Sequence, residues 1–197
     1  VARGIGLDKR IGAKFLHAGP GYGGSCFPKD TIALVRTAQQ YGAPTRLIET
    51  TVEVNDARKQ AMAGRVEKTL GTSVQGKTVA LLGLTFKPNT DDMRDAPSLD
   101  IAPALIAAGA RVQAFDPEGM HEAAKLLDGV EMKDSAYDAV QGADAVVIVT
   151  EWDQFRALDL DRVKLLMNQP VLVDLRNIYR PEDMARRGFR YSGIGRG

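Results

Sequence analysis

Thr78-Val79-Ala80-Leu81-Leu82-Gly83-Leu84 is a continuous apolar run between Gly76 and the polar stretch that begins at Thr85. A run this short and this apolar reads as a strand buried on both faces, the kind found in parallel sheets. Downstream, Arg111 to Asp116 reads as a second strand, stopped by Pro117. Residues 144–150 give a third, 171–175 a fourth, and Phe189 to Ile194 a last, edge strand. Helical patterns lie between them at Pro97 to Ala108, Glu118 to Leu127 and 159–167. Pro103 inside the first of these costs about 3 kcal/mol unless it falls in the first turn or kinks the helix, which argues for a start later than Pro97. Strand–helix alternation with short connections predicts an α/β fold, a Rossmann-like doubly wound parallel sheet. Ligands of such sheets bind beyond the carboxyl ends of the strands.

Upstream, Gly71 to Gly76 is a linker of small polar residues. Before it, Leu47, Ile48, Thr51, Val52, Val54, Ala57, Ala61, Met62 and Val66 follow Pro44 with no breaker before Gly64. That predicts a helix of roughly 20 to 25 residues, running from Pro44 to about Leu70. A helix so long needs a cover, either as an interdomain spacer or as an interface with a second copy; both readings stand. The expected division is a helical part over 1–70 and an α/β domain over 77–197.

The helical part opens on Gly19-Pro20-Gly21-Tyr22-Gly23-Gly24-Ser25-Cys26-Phe27-Pro28-Lys29-Asp30. Four glycines and a proline in six residues describe backbone bent to lie close against something. With Pro28 as the first helical residue, Cys26 sits just outside a helix amino end, where free N–H groups favour a thiolate. Asp30 lies one turn on, and Lys29 adds a positive charge beside both. The competing reading is a glycine turn with an inert buried cysteine. Gly19 to Gly24 also matches Gly-x-Gly-x-x-Gly, but no strand precedes it and none with an acidic end follows, so a dinucleotide fingerprint is excluded.

A net charge of +1 gives no ground for nucleic acid or an anionic membrane surface as partner. A single cysteine excludes an internal disulfide and fits a reducing compartment, so the expected location is cytoplasmic. No apolar run approaches the ~20 residues of a membrane span. The start at Val1 without a methionine suggests a fragment. Three clusters fall at strand carboxyl ends: Thr85 to Asp95, Thr150-Glu151-Trp152, and Asp174 to Asn177. The first reads as a phosphate site or as a solvated loop. Trp152 reads as a core residue. No metal site is expected.

The string GPGYGGSCFPKD, preceded by DKRIGAKFLHA and followed by GLTFKPNTDDMRDAP, resembles the UDP-glucose/GDP-mannose dehydrogenases. Its wording fits the UDP-glucose branch best; GDP-mannose and UDP-N-acetylmannosamine oxidation are the alternatives, as is a sugar-nucleotide-binding and dimerisation module without activity. The resemblance implies NAD as cofactor, UDP-glucose as substrate and a homodimer through the long helix. It makes Cys26 the nucleophile and Asp30 the residue that orients or activates water. It places Phe15, Leu16, His17, Ala18, Gly19, Tyr22, Gly23, Phe86, Lys87 and Arg176 along the substrate, with Arg10 reaching a neighbouring subunit's site. Lys29 and Arg94 are placed near NAD. His17 shows no partner of its own and is given no catalytic role. The family's amino-terminal NAD-binding domain has no counterpart in these residues.

Overall fold

The computed structural model describes residues 1–196. Helix α1 (Ala2–Ile5), a 3-10 turn (Ala13–Leu16), α2 (Cys26–Gln40) and α3 (Arg46–Leu70) precede a sheet region. That region runs β1 (Thr78–Leu82), α4 (Ser98–Ala107), β2 (Arg111–Phe115), α5 (Met120–Ala124), β3 (Val130–Met132) and α6 (Ala136–Val140), then β4 (Ala145–Ile148) and α7 (Asp153–Arg156). It continues through α8 (Leu160–Leu166), β5 (Val171–Asp174), α9 (Pro181–Arg186) and β6 (Arg190–Gly193).

The six strands pair in the order β3-β2-β1-β4-β5-β6, all parallel, so the fold is α/β and Rossmann-like, as expected. The order reverses direction between β1 and β4, which opens a crevice at their carboxyl ends. Strand β3 is absent from the sequence reading because Val130-Glu131-Met132 is short, interrupted by a charge and only partly buried. The short helices α6, α7 and α9 lack a full amphipathic repeat and are absent for the same reason. Helix α4 starts at Ser98 and keeps Pro103 in its interior. It lies on the sheet through Ile101, Ala102 and Leu105, which are buried.

Alternation along β1 divides the core. Val79 and Leu81 face a cluster built with Met62, Val66, Leu70, Ile101 and Leu105 from α3 and α4. Ala80 and Leu82 face the opposite cluster, with Ala139, Trp152, Phe155, Val163 and Met184. Trp152 is thus a core residue. Helix α3 buries Asn55, Lys59, Met62, Val66, Thr69 and Leu70, a stripe at helical spacing, and meets the sheet core through Met62, Val66 and Leu70. Its end is closed by Gly71, whose φ is 74°. Arg190 of β6 donates to the carbonyls of Leu70 at 2.6 Å and Thr69 at 3.4 Å, and Arg65 donates to the carbonyl of Gly193.

Two features fix the crevice. Gly83 follows β1 with φ 90°, and a Cβ there would lie 2.5 Å from Cβ of Thr150, so only glycine lets the two strand ends approach. Asp116, which follows β2, is fully buried and faces six donors: Leu84 N, Thr85 N, Thr85 Oγ1 and Trp152 Nε1 on one oxygen, Glu118 N and Gly119 N on the other. These bonds replace water around the buried charge. They also occupy the acidic position that dinucleotide-binding sheets offer to a ribose.

Asp116→Ala is expected to lower the stability of the chain by at least about 3 kcal/mol, since several buried donors lose their acceptor at once. Urea unfolding measures this, and Asp116→Asn, which keeps one acceptor oxygen, falls between the two.

Candidate active site

The glycine loop lies across the crevice. A Cβ on Gly23 would stand 2.3 Å from the carbonyl oxygen of Asp95, and the Phe86 ring sits 2.9 Å from where a Cβ on Gly24 would be. Gly24 donates to the carbonyl of Arg94 at 2.8 Å. Gly19 lies against Arg176, whose Nη1 is 2.7 Å from the Cβ position there. The loop therefore meets the segment after β1 and the segment after β5 together. Lys87 lies over the Phe86 ring at 5.2 Å from its centroid and is otherwise exposed.

Arg176 pins the floor of the crevice. Its Nε donates to Val149 O at 2.7 Å and its Nη2 to Phe86 O at 3.2 Å. The Glu151 carboxylate is 3.0 Å from Nε but forms no hydrogen bond with it, because that N–H is spent on Val149. Burial pushes the Arg176 guanidinium below its usual value, against the opposing pull of Glu151 and Asp174. Asp174 is itself held by Arg176 N, Tyr179 N and Tyr191 Oη.

Helix α2 begins at Cys26 itself, with Ser25 as N-cap, so Pro28 is its third residue and not its first. The whole first turn lacks intrahelical N–H partners, so a proline is tolerated at its third residue as well as at its first. Cys26 is exposed, with Sγ 3.6 Å from Ser25 Oγ. The reading of a buried cysteine is thereby excluded. Lys29 and Asp30 are exposed and pair with each other at 3.4 Å, so the Lys29 charge is directed at the carboxylate. Arg94 binds Asp92 through two hydrogen bonds of 2.9 and 2.7 Å. Those bonds raise the Arg94 pKa.

The structure thus brings Gly19, Gly23, Phe86, Arg94 and Arg176 to one place, with Tyr22 and Cys26 on the same loop. Arg10, Phe15 and His17 make no side-chain hydrogen bond to it among the described residues, whereas Ala18 directly precedes Gly19 there. Arg10 pairs with Asp8 at 2.7 Å, Phe15 is 77% exposed and His17 N–H donates to Lys14 O at 3.4 Å. Sequence reasoning missed Asn55, Arg58, Lys59 and Asp95. Asn55 exchanges two hydrogen bonds with the Tyr22 backbone, Arg58 donates to Gly19 O at 2.8 Å, and Lys59 donates to Asp95 O at 3.2 Å. A signal existed: Asn55 and Lys59 continue the register of the apolar Met62 and Val66, where a polar residue needs a buried partner. Among the described residues no group of three His, Cys, Asp or Glu side chains converges as a metal site would require.

The model of the UDP-glucose/GDP-mannose dehydrogenase family's UDP binding domain matches residues 80–181, more than half of the chain, and that of the family's central domain matches residues 1–57. The chain belongs to this family. A UDP-glucose 6-dehydrogenase from Rhizobium meliloti (strain 1021) is 62% identical over 196 residues, covering 100% of this chain and 45% of that protein. TuaD of Bacillus subtilis (strain 168), another UDP-glucose 6-dehydrogenase, is 46% identical over 197 residues, covering 100% of this chain and 42% of that one. The chain therefore spans a little under half the length of these relatives. Among solved structures, a UDP-glucose dehydrogenase from Pyrobaculum islandicum superposes with a TM-score of 0.81 at 35% identity, over 98% of this chain and 42% of its own. No helix of this family member is long and apolar enough to cross a membrane among the described residues.

The Arg94 bonds hold the Asp92 carboxyl below its usual value. A depressed carboxyl pKa contributes stability that is full above the unfolded value of about 4 and fades as pH falls below it. The urea midpoint is expected to fall more between pH 4 and 2 in the unmutated chain than in Arg94→Ala, by a modest amount because Arg94 is largely exposed.

Proposed function

We propose that this chain is part of an NAD-dependent UDP-glucose 6-dehydrogenase, in which the glycine loop and the sheet crevice hold the sugar nucleotide and Cys26 carries the second oxidation. The observation that supports this is the meeting of the Cys26 loop with Phe86, Arg94 and Arg176 at the point where strand order reverses. Residues 1–70 form the catalytic-loop and helical part and 77–197 the nucleotide-binding part, of which Gly197 lies outside the described residues. An amino-terminal domain outside this chain would carry NAD. The sheet itself does not offer the usual ribose site, because Asp116 is filled by its own backbone. Lys29 and Arg94 flank the thiol and would meet the cofactor from that side. A free, exposed thiol fits a reducing cytoplasm.

Two NAD+ molecules, bound in turn, would each accept one hydride. The first oxidation would turn the C6 alcohol into an aldehyde, with its hydroxyl proton released to water. The Cys26 thiolate adds to the aldehyde carbon and forms a thiohemiacetal; loss of the second hydride from that carbon leaves a thioester. Asp30 orients water, which attacks the thioester carbonyl, and Cys26 leaves as thiolate with the carboxylate as product. Phe86 and Gly19 to Gly24 enclose the nucleotide and sugar, Lys87 and Arg176 meet phosphate or sugar oxygens, and Arg10 serves a neighbouring copy. Leu47 and Val54 of α3 are 85% and 59% exposed, a surface suited to a homodimer.

Calorimetry is expected to show UDP binding more tightly than GDP, with Arg176→Ala weakening it by at least tenfold; no binding of either nucleotide overturns the reading. In the full-length enzyme, Cys26→Ser is expected to spare the first oxidation and abolish the thioester, whereas Asp30→Asn accumulates a covalent adduct visible by mass spectrometry. Full turnover by Cys26→Ser at the unmutated rate would remove the thiol from the mechanism. By sedimentation the chain is expected to be a dimer and Leu47→Asp with Val54→Asp a folded monomer.

A further inference from the structure

We propose that Asn55 is the positioning residue of the cysteine loop, acting with Arg58 and Lys59 so that one face of α3 sets where Cys26 stands relative to the nucleotide crevice. This rests on the reading of Cys26 as nucleophile.

Asn55 is 7% exposed, and its amide is used at both ends. Oδ1 accepts from Tyr22 N–H at 2.8 Å and Nδ2 donates to Tyr22 C=O at 3.2 Å. A carboxylate would keep the acceptor, lose the donor and face a buried carbonyl with a charge; a glutamine would place the same amide one methylene too far. One turn along, Lys59 is as deeply buried and bridges Asp95 O at 3.2 Å and the Asp100 carboxylate at 3.6 Å. Asp95 holds a left-handed backbone, with φ 50°, and its carbonyl is the one that Gly23 packs against. Between them, Arg58 holds Gly19 O at 2.8 Å. The spacing i, i+3, i+4 puts the three side chains on one helix face.

On the other side of the loop, Gly24 N–H donates to Arg94 O at 2.8 Å, so α3 and the segment after β1 hold the loop between them. Helix α2, which Cys26 begins, buries only Pro28 and Ala38, so it has little apolar hold of its own. Gly21 runs so close to α3 that a Cβ there would lie 2.8 Å from Lys59 Cγ and 2.9 Å from Asn55 Oδ1. The loop is pressed onto the clamp by backbone contact, and the helix is anchored in the sheet core at Met62, Val66 and Leu70. Position thus passes from the core, along α3, through Asn55 to the thiol.

The test uses the full-length enzyme with Asn55→Ala, Asn55→Asp and Arg58→Ala, the last in case the buried Asn55 variants do not fold. Expected are a fall in kcat of at least tenfold for the Asn55 variants and at least threefold for Arg58→Ala. UDP affinity should fall by a clearly smaller factor than kcat, since Arg176 and Phe86 stay in place while the loop loosens, and amide exchange at Tyr22 should quicken at least tenfold. A melting temperature that falls while kcat of the folded fraction is unchanged would overturn the inference, as would kcat and UDP affinity falling by equal factors. An unmutated enzyme that neither binds UDP nor reduces NAD would instead overturn the functional reading and, with it, this role.

Discussion

Helix α3 is gripped in two different ways along one stripe. At its carboxyl end the grip is apolar, through Met62, Val66 and Leu70 in the larger core cluster. At its middle it is polar, through Asn55 and Lys59. The apolar half supplies most of the free energy: each buried Val, Leu or Met side chain contributes about 1.5 to 3 kcal/mol. The polar half contributes about 1 kcal/mol per bond, but it is directional and has one geometry that satisfies it. The apolar half holds the helix on the sheet, and the polar half holds the loop on the helix. Removing the first would free the whole helical part; removing the second would free only the loop.

Buried charge follows a related logic. Asp116 and Asp174 are fully buried and, among the described residues, have no salt bridge; each is surrounded by N–H and O–H donors. Both stand at strand carboxyl ends, where the backbone turns and its N–H groups lose their sheet partners. The carboxylates collect those groups and hold the turns that carry Phe86 and Arg176. Tyr179 and Tyr191, whose pKa values are raised chiefly by burial, pack beside Asp174 and keep their protons there.

Much of the fold was legible because it rests on one-dimensional patterns. The apolar runs of β1, β4 and β5 are buried along their whole length, and α3 ends at the residue that its glycine predicts. Strand β3 was not legible, because three residues with a central glutamate carry no period. The cysteine loop was legible from its glycines, and its neighbours Phe86, Arg94 and Arg176 from the resemblance. The clamp was only half legible: Asn55 and Lys59 continue the register of Met62 and Val66, but their partners show only once the loop is placed against them. Arg10, Phe15 and His17 lie on an arm whose hydrogen bonds stay within it among the described residues, so nothing in the sheet or the loop fixes where they point.

The bonds from Arg65 to Gly193 and from Arg190 to Leu70 and Thr69 join residues 128, 120 and 121 positions apart. Contacts so distant in sequence carry a large closure entropy and form late. During synthesis α3 emerges long before β6, so its last carbonyls wait for the last strand. A ribosome-bound chain stopped short of residue 190 would hold the cysteine loop and most of the sheet but leave the helix end open. Order of appearance and order of completion therefore differ along this chain: α3 is made well before the strand that finishes it.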